Sequence, residues 1–345
     1  MGKLRSAILT SVVLNLLLLM TVCSDLSLFA EGKVVDVARS LAPLPPVQHP
    51  RENPPSAAKI SLGRELFFDA RLSRNDRVSC ASCHEPNKGF SNGGRFGKGI
   101  RDQRSTRNVP SLINVGYSHP LFWDGRSATL EEQALLPIQN AAEMDMPLEV
   151  LEKKLHGVAE YRRQFAQVFD GAVTAARIGQ ALAAFQRTIV STDTPLDRYV
   201  GGDRTALTPR ATKGMQLFFG RARCSICHKG PELTDNRFHN IGTVDPEIPD
   251  DSGRRAVTGR AEDQGAFRTP QLREVARTAP YMHSGKFQTL SEVVEHYNFG
   301  GVTDTANDHR DEILEVLYLS EDEVEDLVAF LREGLTSPDP PIANP

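Results

Sequence analysis

Two short stretches decide how this chain is read: Cys80-Ala-Ser-Cys-His84 and Cys224-Ser-Ile-Cys-His228. Each has the form Cys-x-x-Cys-His. The pattern has a mechanical logic. The two thiols form thioethers to the vinyl groups of a porphyrin, and the adjacent histidine is held under the iron as proximal ligand. A single motif could also serve a redox or zinc site. The cysteine arithmetic argues against that. The chain has five cysteines; Cys23 lies in an N-terminal apolar run, and the other four fill the two motifs. Nothing is left for a disulfide or a free thiol. The sequence therefore predicts two covalent c-type haems, attached at Cys80, Cys83 and His84 and at Cys224, Cys227 and His228.

The N-terminus has the layout of an export signal. Lys3 and Arg5 precede an apolar run from Ala7 to Met20, interrupted only by Thr10, Ser11 and Asn15. Small residues follow, placing cleavage after Ser24 or Ala30. Residues 1–24 are thus expected to be a signal peptide and the mature protein periplasmic. The run is short for a membrane span, so membrane anchoring is not expected. A lipid anchor at Cys23 is the rival reading, which Val22 disfavours; an uncleaved anchor is the third. Hydrophobic residues at 40% and charged residues at 24% are those of a soluble globular protein. A net charge of −4 with no basic stripe argues against a nucleic-acid partner.

Residues 25–55 form a Pro-rich lead-in, with Pro43, Pro45, Pro46, Pro50, Pro54 and Pro55. A helix is predicted from Ser56 to Phe68, burying Ile60, Leu62, Leu66 and Phe67. Helical periodicity also covers residues 129–156 and 174–192, where Ile178, Leu182, Phe185 and Ile189 share a face. The segment Glu321 to Leu335 reads as an amphipathic helix with Val324, Leu327, Val328 and Leu331 inward. An internal echo is visible: Gly63-Arg-Glu-Leu-Phe-Phe precedes the first haem motif and Gly214-Met-Gln-Leu-Phe-Phe the second. The expected fold is mainly α, with two cytochrome-c-like haem domains and long loops. Residues 56–200 form the N-terminal haem domain and 201–337 the second, divided near 193–208. A tail covers 338–345.

Function depends on the other face of each iron. No methionine occurs between Cys83 and Met144, and the later histidines before the domain boundary are His119 and His156. The first iron is therefore expected to lack a distal protein ligand, leaving a place for peroxide or oxygen.

Further motifs carry a resemblance: Leu121-Phe-Trp-Asp-Gly-Arg126, Gln133, Pro137, Asn140-Ala-Ala-Glu-Met144, Phe238-His-Asn-Ile-Gly242, Phe267-Arg-Thr-Pro-Gln-Leu-Arg273 and Thr278-Ala-Pro-Tyr-Met-His-Ser-Gly285. Across roughly residues 56–335 the chain resembles the bacterial di-haem cytochrome c peroxidases, the family that includes MauG. The resemblance implies roles position by position. Trp123, the single tryptophan, matches the inter-haem bridge. Glu143 matches the distal carboxylate of the peroxidatic haem, which moves a proton between the peroxide oxygens. Gln133 and Pro137 match residues of the same pocket. Asn108, Thr278 and Pro280 match a calcium site between the domains, with the oxygen donors a hard cation requires.

Two departures matter. Many of these peroxidases block the first haem with a histidine shortly after its motif, whereas here Gly97-Lys-Gly-Ile-Arg-Asp102 carries none. They also ligate the second haem with methionine, whereas the matching residue here is Tyr297, as in MauG; His296 and Met282 are the substitute ligands. A thioether favours ferrous iron and raises the potential, while a tyrosinate favours the oxidised metal. The resemblance thus implies a MauG-like enzyme that oxidises aromatic side chains, chiefly tryptophan, of a partner protein through a high-valent state shared by the haems. Hydrogen peroxide is the oxidant. Di-haem enzymes of methanobactin operons are another branch it resembles. The alternative is peroxide reduction with electrons from a small cytochrome c or copper protein. One MauG feature is missing: the tryptophan before its second haem motif is Ala222 here. A pure electron carrier, with both axial positions filled on each iron, is disfavoured by the open first site. The ferric protein is expected to show one high-spin and one low-spin haem by EPR; two low-spin signals would contradict the open site.

Overall fold

A computed structural model describes residues 41–339, apart from 42, 244, 246, 249–250 and 302–308. The expected signal segment, Cys23, the start of the lead-in and the last residues of the tail lie outside the described residues. Ten helices are used below: α1 (Ala57–Phe68), α2 (Leu130–Gln133), α3 (Leu136–Gln139), α4 (Leu148–Gly157), α5 (Ala159–Phe169), α6 (Ala175–Gln186), α7 (Pro195–Val200), α8 (Pro209–Phe219), α9 (Leu290–Asn298) and α10 (Glu321–Ala329). A two-residue antiparallel ladder, β1 (Phe238–His239) with β2 (Phe267–Arg268), is the one sheet among the described residues.

Ser56 caps α1, its Oγ accepting from the Lys59 amide at 3.2 Å. The buried face of α1 is Lys59, Leu62, Gly63, Leu66 and Phe67; Ile60 is only partly buried at its edge. This helix crosses α6 at Gly63, where a Cβ would overlap the Ala181 carbonyl oxygen. The second half repeats the device: α8 crosses α10 at Gly214, and a Cβ there would overlap the Asp326 carbonyl oxygen. The sequence echo is therefore a pair of close helix crossings that only glycine permits. One apolar core draws on residues between Leu62 and Ile189, including Phe67, Tyr161 and Phe165. The other unites Leu41 with residues between Leu196 and Leu335, including Met215 and Phe330.

Three helical stretches are shorter or more broken than their periodicity. Residues 129–156 form no single helix. After α2, capped by Thr129, the chain makes α3 with Pro137 at its N-terminus, then turns at Asp145 with φ of +48° before Pro147 opens α4. Proline has no amide to donate, so it punctuates this stretch. The helix over 174–192 ends at Gln186, because the Thr188 amide and hydroxyl both turn back to the Phe185 carbonyl, at 2.9 and 2.7 Å. This frees the Ile189 carbonyl for the Asn114 amide, 2.8 Å away. The helix over 321–335 is α only to Ala329 and widens to a π turn over Phe330–Gly334. Helix α5, not anticipated, buries Tyr161 and Phe165 and ties back to α1 through the Tyr161 hydroxyl, which donates to Asp69 Oδ2 at 2.5 Å.

A second stretch of repetition emerges in the backbone. Asn114 and Glu274 both take left-handed φ, +59° and +63°, and each opens a 3-10 turn, Val115–Tyr117 or Val275–Arg277. Each is followed by a cis proline (Pro120, Pro280), a left-handed residue (Phe122, Met282), a bridge (Leu121 to Ser127, Tyr281 to Phe287) and a threonine N-cap (Thr129, Thr289). In this frame Asn108 corresponds to Arg268, Trp123 to His283 and Pro137 to Tyr297. The correspondence shows in the contacts between the halves. The Asn108 amide donates to the His283 carbonyl at 2.7 Å, and the Arg268 amide to the Trp123 carbonyl at 2.8 Å.

Gly63→Ala and Gly214→Ala are each expected to destabilise the haem-loaded protein by about 1–3 kcal/mol through overpacking at the crossings, read as a lowered denaturant midpoint. A midpoint unchanged in both variants would contradict the close-crossing account.

Candidate active site

The two haem motifs fold alike. Cys80–Ser82 and Cys224–Ile226 are single 3-10 turns, and the His84 and His228 amides donate to the Cys80 and Cys224 carbonyls, each at 2.9 Å. The chain then doubles back through a left-handed residue, Phe90 or Leu233, each with φ of +55°. The carbonyls of these two residues lie 3.0 Å from Nδ1 of His84 and His228. A carbonyl only accepts, so Nδ1 carries the proton in each ring and Nε2 keeps its lone pair for a metal. Burial pushes His84 down to about 4 and lowers His228 as well, so both rings are neutral at neutral pH. Burial pushes the Cys80 and Cys224 thiols up to about 12.

A continuous cavity of about 730 Å³ joins the two motifs and is lined by Cys83, His84, Cys224, Cys227, His228 and Trp123. Its wall is largely apolar, with Leu112, Ile113, Val294 and Leu331 among its residues. Paired thiols, a neutral imidazole beside each pair and an apolar hollow are what covalently bound porphyrins require.

The first half of the cavity gathers Gln133, Pro137, Asn140, Ala142 and Glu143, with Gly97 and Gly99 from the loop after the first haem motif. Gly99 packs so tightly that a Cβ would overlap the Ala142 carbonyl oxygen, and the Ile100 amide donates to the Glu143 carbonyl at 2.8 Å. The loop is thus fixed against the distal segment and offers it no imidazole. The described histidines on the cavity wall are His84, His228, His239 and His283; His119 and His156 are not among them. Glu143 Oε1 accepts from Asn140 Nδ2 at 2.7 Å. Burial raises the Glu143 carboxyl, against a pull downward from the Arg126 guanidinium and the Asn140 amide. Arg126 is itself held by Asp124, at 2.9–3.0 Å, and stacks 3.5 Å over the Phe122 ring.

In the second half Tyr297 faces the cavity from α9, and Met282 lines it too. Burial pushes the Tyr297 phenol well above the ordinary tyrosine range. His296 turns away; its Nε2 lies 2.8 Å from the Ile241 carbonyl. Both ring nitrogens of His239 are engaged by carboxylates, Asp311 at 2.6 Å and Asp235 at 3.1 Å. Cys227, Asp235 and His239 cluster closely enough to suggest a metal site, but that cysteine belongs to the second haem motif.

Between the halves, Trp123 Nε1 donates to the Asn108 carbonyl at 2.9 Å. Asn108 Nδ2 bonds the Gly94 and Arg95 carbonyls, at 3.1 and 3.2 Å. Its remaining amide oxygen can therefore serve a cation. Thr278 and Pro280 share the cavity wall with Asn108. Arg107 bonds Asp124 at 2.6 Å and Asp251 at 2.7 and 2.8 Å, linking the halves. Arg107 drew no remark in the sequence, and Asn140 and Arg268 stood inside quoted motifs without a role assigned to them. Nothing in composition marks them among 40 cationic residues and many amides; only the backbone repeat points to Arg268.

A family profile described as di-haem cytochrome c peroxidase matches residues 57–205. Cytochrome-c peroxidase IdrP1 of Pseudomonas sp. (strain SCT) is 37% identical over 342 residues, covering 90% of this chain and 89% of that protein. The chain belongs to the di-haem cytochrome c peroxidase family. Methylamine utilization protein MauG of Methylophilus methylotrophus is also 37% identical, over 286 residues, covering 82% of this chain and 84% of that one. Among solved structures, a MauG-like protein associated with microbial copper homeostasis superposes with a TM-score of 0.79 at 34% identity, covering 86% of this chain and 94% of that chain. The diheme peroxidase BthA from Burkholderia thailandensis E264 gives 0.75 at 26% identity, covering 86% and 90%. Family membership implies two c-type haems and makes the protein a haem-dependent oxidoreductase acting with peroxide.

Glu143→Gln is expected to slow the reaction with peroxide by about 10²–10⁴-fold, the usual size of a lost proton-transfer group, in stopped-flow traces. In the parent enzyme the rate should fall as pH drops through the raised titration of Glu143, because the proton acceptor is its ionised form. A pH-independent rate, or a Gln variant as fast as the parent, would contradict this role.

Proposed function

We propose that the enzyme uses hydrogen peroxide to oxidise aromatic side chains, tryptophan above all, of a periplasmic partner protein. The observation that carries this reading is the pairing of Pro137 with Tyr297. At equivalent places on the cavity wall, one half presents a side chain that cannot bind iron and the other presents a phenol. One haem site would then be open to peroxide, and Tyr297 could hold the iron of the other with a hard oxygen. Haem iron supplies the redox chemistry at which the O–O bond is broken. Peroxide, two protons and two electrons give two waters, with the electrons drawn from the partner's side chain.

The chain's own residues divide the remaining work. Glu143 accepts a proton from one peroxide oxygen and returns it to the other, while Asn140 fixes its carboxylate. Gln133 and Pro137 shape the pocket. Trp123, pinned by Asn108 and Arg268, is the aromatic bridge between the sites. Tyr297 would close the second site: burial opposes its phenolate unless a cation lies beside it, and ferric iron would supply that cation. A calcium ion held by the Asn108 amide oxygen and by Thr278 and Pro280 would brace the junction between the halves. Ala222 is buried at 3% exposure and carries no aromatic ring, so the partner exchanges electrons by a route other than an indole at that place.

Relatives bear both names, peroxidase and MauG, and the competing reading is peroxide reduction with a small cytochrome or copper protein as donor. The test is mass spectrometry of a Trp-bearing partner encoded beside this gene, incubated with enzyme and peroxide. Peroxide-dependent oxidation of a tryptophan is expected, with slow turnover of reduced cytochromes. Rapid cytochrome oxidation with the partner unmodified would establish the donor reading instead. Tyr297→Met should raise the potential of the second haem, since a thioether favours ferrous iron, and should abolish partner oxidation.

A further inference from the structure

Arg268 is left over when the cavity wall is accounted for. Of the arginines that line it, Arg107, Arg126, Arg223 and Arg273 pair with carboxylates. Arg104 is exposed and lies over the Phe96 ring. Arg268 is partly buried, and no carboxylate among the described residues touches it. Its guanidinium has only long bonds to neutral acceptors: the Phe122 carbonyl at 3.5 Å, Asn236 Oδ1 at 3.2 Å and the Thr269 carbonyl at 3.4 Å. Burial alone shifts it, down to about 10. A guanidinium removed from water without a counter-charge is unfavourable, and the planar fork best satisfies a carboxylate, by two parallel bonds.

The cavity itself supplies the carboxylate, because each porphyrin bears two propionates and the family carries two haems. We propose that Arg268 binds a haem propionate and so links the porphyrin to the indole of Trp123. The same residue holds both ends of that link. Its guanidinium reaches the Phe122 carbonyl, and its backbone amide donates to the Trp123 carbonyl at 2.8 Å. Arg268 thereby acts as a positioning residue for Trp123, seating it relative to the haem edge. The equivalent residue in the first half is Asn108, whose carbonyl accepts the indole N–H. The two corresponding positions therefore grip Trp123 from its backbone and from its ring. The inference rests on the two haems alone and holds whichever molecule supplies the electrons.

The test uses the di-haem protein with Arg268→Gln and Arg268→Lys, after confirming that both haems are attached. Removing the cation beside a propionate favours ferric over ferrous iron. Arg268→Gln is expected to shift that equilibrium of one haem roughly tenfold, a fall of about 59 mV for a one-electron couple. The propionate bending mode of the resonance Raman spectrum should move to lower frequency. Arg268→Lys keeps the charge but not the fork, so it should show the Raman shift with a smaller fall in potential. Unchanged bending modes and potentials in Arg268→Gln would overturn the proposal. Should that variant fail to retain its haems, an unchanged bending mode in Arg268→Lys would overturn it.

Discussion

Two backbone hydrogen bonds, from the Asn108 amide to the His283 carbonyl and from the Arg268 amide to the Trp123 carbonyl, set the terms for the rest of the molecule. They join the halves at corresponding points, so each half contributes one wall of a single cavity. The Arg107 bridge to Asp124 and Asp251 reinforces the same junction. Partly buried and bidentate toward Asp251, it differs from exposed ion pairs, which contribute little. A junction fixed in this way keeps the indole of Trp123 at one position between the motifs. The proposed electron exchange across the cavity would then depend on that fixed spacing.

Around this junction the two halves are built from one plan and differ where chemistry requires. Both place a proximal histidine by aiming a left-handed residue's carbonyl at Nδ1, and both cross two helices at a glycine. The difference lies on the distal side. In the first half Pro137 breaks the helical stretch and leaves Glu143 and Gln133 around an open pocket. In the second, α9 runs unbroken from Leu290 to Asn298 and delivers a tyrosine to the equivalent place. A proline thus does two things at once: it places a side chain with no metal-binding atom on the cavity wall and reshapes the backbone that carries Glu143.

Much of this was legible in the sequence, because covalent chemistry leaves local marks. The haem motifs, the glycine echo, α1 with its Ser56 cap and the α6 stripe ending at Phe185 all depend on residues close together in the chain. The rest was not legible, for physical reasons. The break in 129–156 depends on Asp145 adopting a left-handed turn, and the early end of α6 on Thr188 recapturing the Phe185 carbonyl. Neither leaves a periodic signal. The second repeat shares Pro120 with Pro280 and Thr129 with Thr289, but its turns rest on backbone angles at Asn114 and Glu274 or at Phe122 and Met282, where side-chain identity is not shared. Arg268 stands in a quoted motif, but its lack of a carboxylate partner among the described residues is a property of the assembled fold.

The surroundings of Cys80 and Cys224 have a consequence for how the protein is made. Thioether formation needs a reactive sulfur, and in the folded chain the surroundings of Cys80 and Cys224 push both thiols up to about 12, favouring the protonated form. Haem attachment is therefore favoured while the chain is still open, before the glycine crossings close. The cavity then collapses around a group already tethered at both sulfurs. In this order of events the porphyrins are not guests of a finished protein but the nuclei on which each half condenses.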